Sequence, residues 1–141
     1  GLPIGACIAD GKAAELLQPG SHGSTFGGNP LVSRAACTVL DIMERDGLAE
    51  HAEKTGEHMM AAFRERLEDD DRVREVRGRG LMIGIELAQP AAAVKEHCQE
   101  QRVLINVAQE RVIRLVPPLI ISEEQAGMIV DAVCDGIAKL P

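Results

Sequence analysis

The sequence predicts an α+β fold, and three observations predict it. From about residue 47 onward the hydrophobic period switches between helical and strand-like, in the order helix, two strands, helix, two strands, helix. The strand candidates are short and closely connected, which favours a small, mostly antiparallel sheet with helices on one face. Aromatics are nearly missing, with two Phe and no Trp or Tyr, so Leu, Ile, Val, Met and Ala have to fill the core. Residues 1–46 stand outside this scheme. Their single strand candidate has no partner among them, and they read as the tail of another domain, joined to a 47–141 domain by a bridging helix.

Each element has its own justification. Ile4-Gly5-Ala6-Cys7-Ile8-Ala9 is apolar on both faces and reads as a short buried strand. Asp10-Gly11 is a turn, and Lys12 to Leu17 a short helix stopped by Pro19-Gly20. The Gly- and hydroxyl-rich stretch from Ser21 to Asn29 follows. Asn29 is a good N-cap and Pro30 suits the first helical position. From Pro30 to about Asp46, Leu31, Val32, Ala35, Ala36, Val39, Leu40 and Met43 form one apolar stripe, with Gly47 as the stop. A second long helix covers Leu48 to Leu67. Val73 to Val76 is a strand candidate, Arg77-Gly78-Arg79-Gly80 a turn or bulge, and Leu81 to Leu87 an alternating strand. Gln89-Pro90 opens a helix to about Gln101. Val103–Val107 and Val112–Val116 form a hairpin across a polar link, ended by Pro117-Pro118. Ser122-Glu123-Glu124-Gln125 is a capping box for a last helix.

At 141 residues the chain can bury a real core. Its net charge of -7 argues against nucleic acid, whose phosphates call for a basic face. No apolar run approaches the ~20 residues that span a bilayer, and no secretory signal opens the chain. The apolar start at Gly1, without Met, reads as an internal start. Cys7, Cys37, Cys98 and Cys134 lack a paired spacing and read as buried free thiols in a reducing cytosol, with a disulfide framework as the less supported alternative.

Two features carry candidate chemistry. The stretch around Ser24 and Thr25 offers hydroxyls and backbone N–H groups that suit phosphate or carboxylate, although a Gly-rich loop before a helix is often only a loop. Arg114 lies mid-strand on a face shared with Val112 and Val116. It is either an edge-strand arginine reaching water or a bidentate clamp for a carboxylate. The glycines at 78, 80 and 84 lead into a strand and do not make a dinucleotide fingerprint. His22, His51, His58 and His97 show no metal-ligand spacing, so no metal is expected. Neither an acyl-transfer triad nor a desolvated lysine presents itself, so no catalytic residue is assigned.

Three segments, His22 to Leu31, Arg77 to Met82, and Ile113 to Leu119, together resemble the C-terminal part of class-III aminotransferases, enzymes of fold-type I. The resemblance spans the whole chain. It implies pyridoxal 5'-phosphate as cofactor, with residues 1–46 as the tail of the large cofactor-binding domain and 47–141 as the C-terminal small domain. It also implies a homodimer in which Thr25 binds the cofactor phosphate in the neighbouring subunit's site, Ser24 lines the substrate site from that same neighbour, and Arg114 holds the carboxylate of a small amino-acid substrate. Gly1 to Ala6 resembles the segment just after the family's cofactor-holding lysine, which then lies outside these residues, and the chain alone is expected to be inactive. Val103-Leu104-Ile105-Asn106 and the compact link before Arg114 favour an acetylornithine-type amine donor over ornithine or 4-aminobutyrate, with a parent acting on ornithine, succinylornithine or 4-aminobutyrate as an alternative. A non-catalytic folding or dimer-forming module is the alternative.

Overall fold

The structure is a computed structural model that describes all 141 residues. It divides into two compact units, Gly1–Asp46 and Gly47–Pro141.

The first unit holds helix α1 (Lys12–Leu16) and helix α2 (Pro30–Arg45). Asn29 caps α2 by accepting from the Val32 N–H at 3.2 Å, with Pro30 in the first turn. The expected strand at Ile4–Ala9 does not form, and Ile8 is 96% exposed. A strand needs a ladder for its N–H and C=O groups, and no other segment of this unit provides one. The apolar stripe of α2 is only partly covered, since Leu31, Val39 and Leu40 stay exposed.

The second unit runs α3 (Leu48–Arg66), β1 (Val73–Arg79), β2 (Met82–Leu87), α4 (Ala92–Glu100), β3 (Asn106–Ala108), β4 (Val112–Leu115) and α5 (Glu123–Ala138). The sheet order is β1-β2-β4-β3 and every pairing is antiparallel. Ile83, Ile85 and Leu87 of β2 and Ile113 of β4 face the helices and are fully buried, together with Phe63 and Met59 of α3, Val94 of α4 and Ile137 of α5. All three helices cover that one face. Ser122 and Gln125 cap α5 reciprocally, at 3.0 and 3.1 Å.

The Arg77–Gly80 segment departs from the expected turn. Arg77 to Arg79 continue β1, the turn is Gly80-Leu81, and the register shift lies between Val73 and Glu75. Gly80 takes φ +52°, a left-handed conformation that glycine adopts without strain. Close approach of backbone explains two more glycines. A Cβ on Gly56 of α3 would collide with the Gly80 carbonyl, and one on Gly78 would lie 2.5 Å from the Met82 oxygen. The helix therefore lies flush on the hairpin.

Two other boundaries differ. Helix α4 starts at Ala92, two residues after Pro90, and β3 pairs only from Asn106. Before it, Arg102 takes φ +62° and the Val103 N–H donates to the Cys98 carbonyl at 2.8 Å, so this stretch closes α4 before any strand pairing begins.

Candidate functional site

The loop between α1 and α2 is shaped by side chains bonding to nearby backbone. Ser24 Oγ accepts from the Gly27 N–H at 3.0 Å, and Asn29 Nδ2 donates to the Phe26 carbonyl at 2.9 Å. A Cβ on Gly27 would sit 3.0 Å from Ser24 Oγ, so a side chain there would have to displace the Ser24 hydroxyl. Ser24 and Thr25 are both exposed. Ser24 keeps its hydroxyl proton to donate, and none of the loop's hydrogen bonds uses the Thr25 hydroxyl. The donor set is one that suits a phosphate: two hydroxyls and neighbouring amides on an exposed turn.

The second surface is the helix-free face of the sheet. Ile113 and Leu115 point into the core, so Arg114 between them points out, and it is exposed. Strand β4 lies between β2 and β3, so the edge-strand account of Arg114 does not hold. The guanidinium avoids a buried-charge penalty because this whole face is open. In register with Arg114 stand Gly84 on β2 and Asn106 on β3, and Arg77 on β1 pairs with Gly84 in turn. The open face thus carries one row across all four strands: Arg77, Gly84, Arg114, Asn106. Arg77 is held by Glu75 Oε2 at 2.6 Å and Glu86 Oε2 at 3.0 Å. Those carboxylates push its guanidinium pKa up, the Glu86 hydrogen bond acting most strongly. Arg114 forms no ion pair. It is a planar, permanently charged group with its donors free to take an external carboxylate.

Two of the four histidines have structural occupations. His51 Nε2 bonds the Ile121 carbonyl at 2.9 Å, and His97 Nδ1 lies 3.2 Å from Lys139 Nζ. No three His, Cys, Asp or Glu side chains are grouped to hold a metal. All four cysteines are free. Cys98 and Cys134 are buried, but Cys7 and Cys37 are exposed, contrary to expectation, because their segments lack covering elements. Burial pushes the Cys98 thiol up to about 11. A cavity of about 670 Å³ in the second unit is an apolar groove lined by residues such as Leu104, Val116, Ile120 and Met128. Its only ionisable lining residue is Arg102, and Arg114 lies outside it, so it offers no acid–base chemistry. No helix is long and apolar enough to cross a membrane.

Comparison with known families adds to this geometry. A family model described as aminotransferase class-III matches residues 1–137.

The chain belongs to the class-III aminotransferases.

This aminotransferase chain is 48% identical over 133 residues to the acetylornithine aminotransferase of Nitrosomonas europaea, an alignment covering 94% of this chain and 34% of that protein. Against the acetylornithine aminotransferase of Methanothermobacter thermautotrophicus it is 42% identical, covering 99% of this chain and 36% of the other. Among solved structures, the acetylornithine aminotransferase of Elizabethkingia anophelis superposes with a TM-score of 0.79 at 33% identity, covering 94% and 34%. The ornithine δ-aminotransferase of Plasmodium falciparum superposes at 0.81 and 30% identity, covering 93% and 34%. The chain thus spans about a third of the length of the relatives it matches. Aminotransferases of this class depend on pyridoxal phosphate, and the hydroxyl-and-amide turn at Ser24–Thr25 is chemically suited to that cofactor's phosphate.

The structure puts the expected site residues in two groups, Ser24 and Thr25 in the first unit and Arg114 in the second. Gly84 and Asn106, the register neighbours of Arg114, have no site role that the sequence alone assigns. Only the β2–β4 and β3–β4 pairings bring them beside it. The one linear signal was a glycine between Ile83 and Ile85, in a strand otherwise rich in β-formers.

Proposed function

We propose that this aminotransferase chain is the C-terminal part of an enzyme that moves an amino group from N-acetylornithine to 2-oxoglutarate. In this reading it works as a cytoplasmic homodimer in arginine biosynthesis. Residues 1–46 are the tail of the large domain and 47–141 the small domain. The observation that carries the reading is Arg114, a charged donor on a central strand of an open sheet face with no acidic partner. Both proposed substrates carry carboxylates, and a guanidinium fork grips such a group in two parallel hydrogen bonds. The Thr25 hydroxyl and adjoining amides hold the cofactor phosphate in the neighbouring subunit's site, and Ser24 lines the substrate site there. Pyridoxal phosphate, when bound, supplies an electron sink for carbon–hydrogen cleavage next to the amine. An ornithine donor is the second reading, favoured by the close superposition on ornithine aminotransferases.

The 141-residue chain by itself does not transaminate in this account. Its four lysines, Lys12, Lys54, Lys95 and Lys139, are all exposed, whereas a lysine that captures a carbonyl group works when desolvated.

A hybrid enzyme tests the proposal: this chain replaces the matching third of the Nitrosomonas europaea enzyme. In the active hybrid, Arg114→Ala is expected to raise KM for N-acetylornithine or 2-oxoglutarate by about 10- to 100-fold, the weight of a charged hydrogen bond. Arg114→Lys should recover only part, because an ammonium cannot make the fork. The cofactor's visible absorbance should not change. Unaltered KM values for both substrates would remove Arg114 from the site, and turnover by the isolated chain would remove the claim of inactivity.

A further inference from the structure

The glycines of the second unit divide by what holds each in place. Gly56 and Gly78 are fixed by close approach of backbone, and Gly47 and Gly80 by left-handed φ. Gly136 faces Val94 Cγ1 at 3.0 Å across the α4–α5 contact. Gly84 of β2 and Gly127 of α5 have none of these constraints, and of the two only Gly84 lies in the sheet. The φ of Gly84 is not in the left-handed region, and a Cβ built there meets Val112 Cγ1 at 3.6 Å and Arg77 Cγ and the Arg77 carbonyl oxygen at 3.9 Å, all ordinary contacts. Its neighbours Ile83 and Ile85 are the residues a central strand favours, and glycine weakens such a strand. The fold would accept the Cβ of an alanine at this position, so its requirements do not explain the glycine.

The open face offers an explanation. Gly84 sits in register between Arg77 and Arg114, leaving a gap in the row of side chains. The Arg77 head is drawn off by Glu75 and Glu86, so its methylene stem, with Val112, walls the gap. The result is a side-chain-free notch with hydrocarbon walls on two sides and the unpaired Arg114 at the next strand. Hydrocarbon walls displace water, and a carboxylate in a less polar setting binds a guanidinium more strongly than in bulk solvent.

We propose that Gly84 is a specificity-determining residue, whose missing side chain keeps open the seat in which a substrate carboxylate reaches Arg114. This rests on the reading of Arg114 as the carboxylate clamp. The seat admits a carboxylate end that is narrow at its first carbon, and a side chain at position 84 occupies the same space.

The test uses the hybrid enzyme described above, with Gly84→Ala, Gly84→Val and Arg114→Ala, beside urea unfolding of the 141-residue chain carrying each Gly84 change. The expected result is graded. KM for the substrate that Arg114→Ala weakens rises a few-fold for alanine and 10-fold or more for valine. kcat and cofactor absorbance change less than 2-fold, and the unfolding midpoint stays or rises. An unaltered KM in Gly84→Val alongside a raised KM in Arg114→Ala overturns the role of Gly84 and leaves the clamp standing. If KM is unaltered in both, the clamp falls, and the seat with it. A lowered unfolding midpoint in Gly84→Ala also overturns the proposal, because the fold itself would then require the glycine.

Discussion

Gly56→Ala gives the strongest test of how α3 meets the hairpin. Replacing a helical glycine with alanine ordinarily stabilises by about 1 kcal/mol. Here a Cβ would stand 2.8 Å from Gly80 Cα, and closer still to its carbonyl. Carbon atoms rest at ~3.5–4.0 Å, so the turn would have to retreat by more than about 1 Å at its carbonyl. The obstacle is backbone in a left-handed turn between paired strands, and no side-chain rotation relieves it. Overpacking of this kind costs about 1–3 kcal/mol, occasionally more. The upper part of that range is apt for a backbone obstacle, so the net effect after the helix gain is a loss of about 2 kcal/mol. For a unit of this size the melting midpoint falls by roughly 10 °C. Gly127→Ala in α5 is the control, because a Cβ there meets nothing within 4 Å and the ordinary gain should appear. Thermal and urea unfolding followed by circular dichroism at constant pH measure both. If Gly56→Ala is as stable as the parent, the close approach of α3 to Gly80 is wrong.

Two other outcomes follow from side-chain environments. Arg72 donates to both Asp70 oxygens, at 2.8 and 2.9 Å, and holds the Asp70 carboxyl below its ordinary 3.8. A depressed carboxyl stabilises the fold above its unfolded pKa, and that contribution disappears as pH falls through the folded value. Asp70→Asn should therefore lower the urea midpoint at pH 6, and the gap from the parent should narrow at a pH below the ordinary 3.8 of Asp70. An equal gap at both pH values refutes the pairing. A thiol-reactive chromophore at pH 8 should label Cys7 and Cys37 quickly and reach Cys98 and Cys134 only in denaturant, since burial raises both buried thiols above their ordinary range. Four fast-reacting thiols in the native chain would refute the packing around α4 and α5.

Where local chemistry decides structure, the sequence was legible. The Ser122–Gln125 box starts α5, Asn29-Pro30 starts α2, and the alternation of Ile83, Ile85 and Leu87 marks the buried face of β2. Tertiary contact decides the rest. Arg77-Gly78-Arg79 looks like a turn, yet it is strand because it pairs with Met82–Gly84 of β2, whose backbone comes too close to position 78 for a side chain there. Ile4–Ala9 has the composition of a strand, but composition does not provide a ladder. The same division holds at the candidate site. The strand and face of Arg114 follow from Ile113 and Leu115 on either side of it. Its neighbours Gly84 and Asn106 depend on strand order, which β1-β2-β4-β3 sets by a crossing that no single segment encodes.

The margins of that sheet have a consequence for how other chains can meet it. On one side β3 contributes three residues, Asn106–Ala108. On the other, β1 is offset between Val73 and Glu75 and studded with Arg74, Glu75, Arg77 and Arg79. One border is too brief, and the other too irregular and charged, to template an added strand. Molecules that associate with this unit therefore do so through side chains on its faces, and lateral growth into ribbons is blocked at both ends.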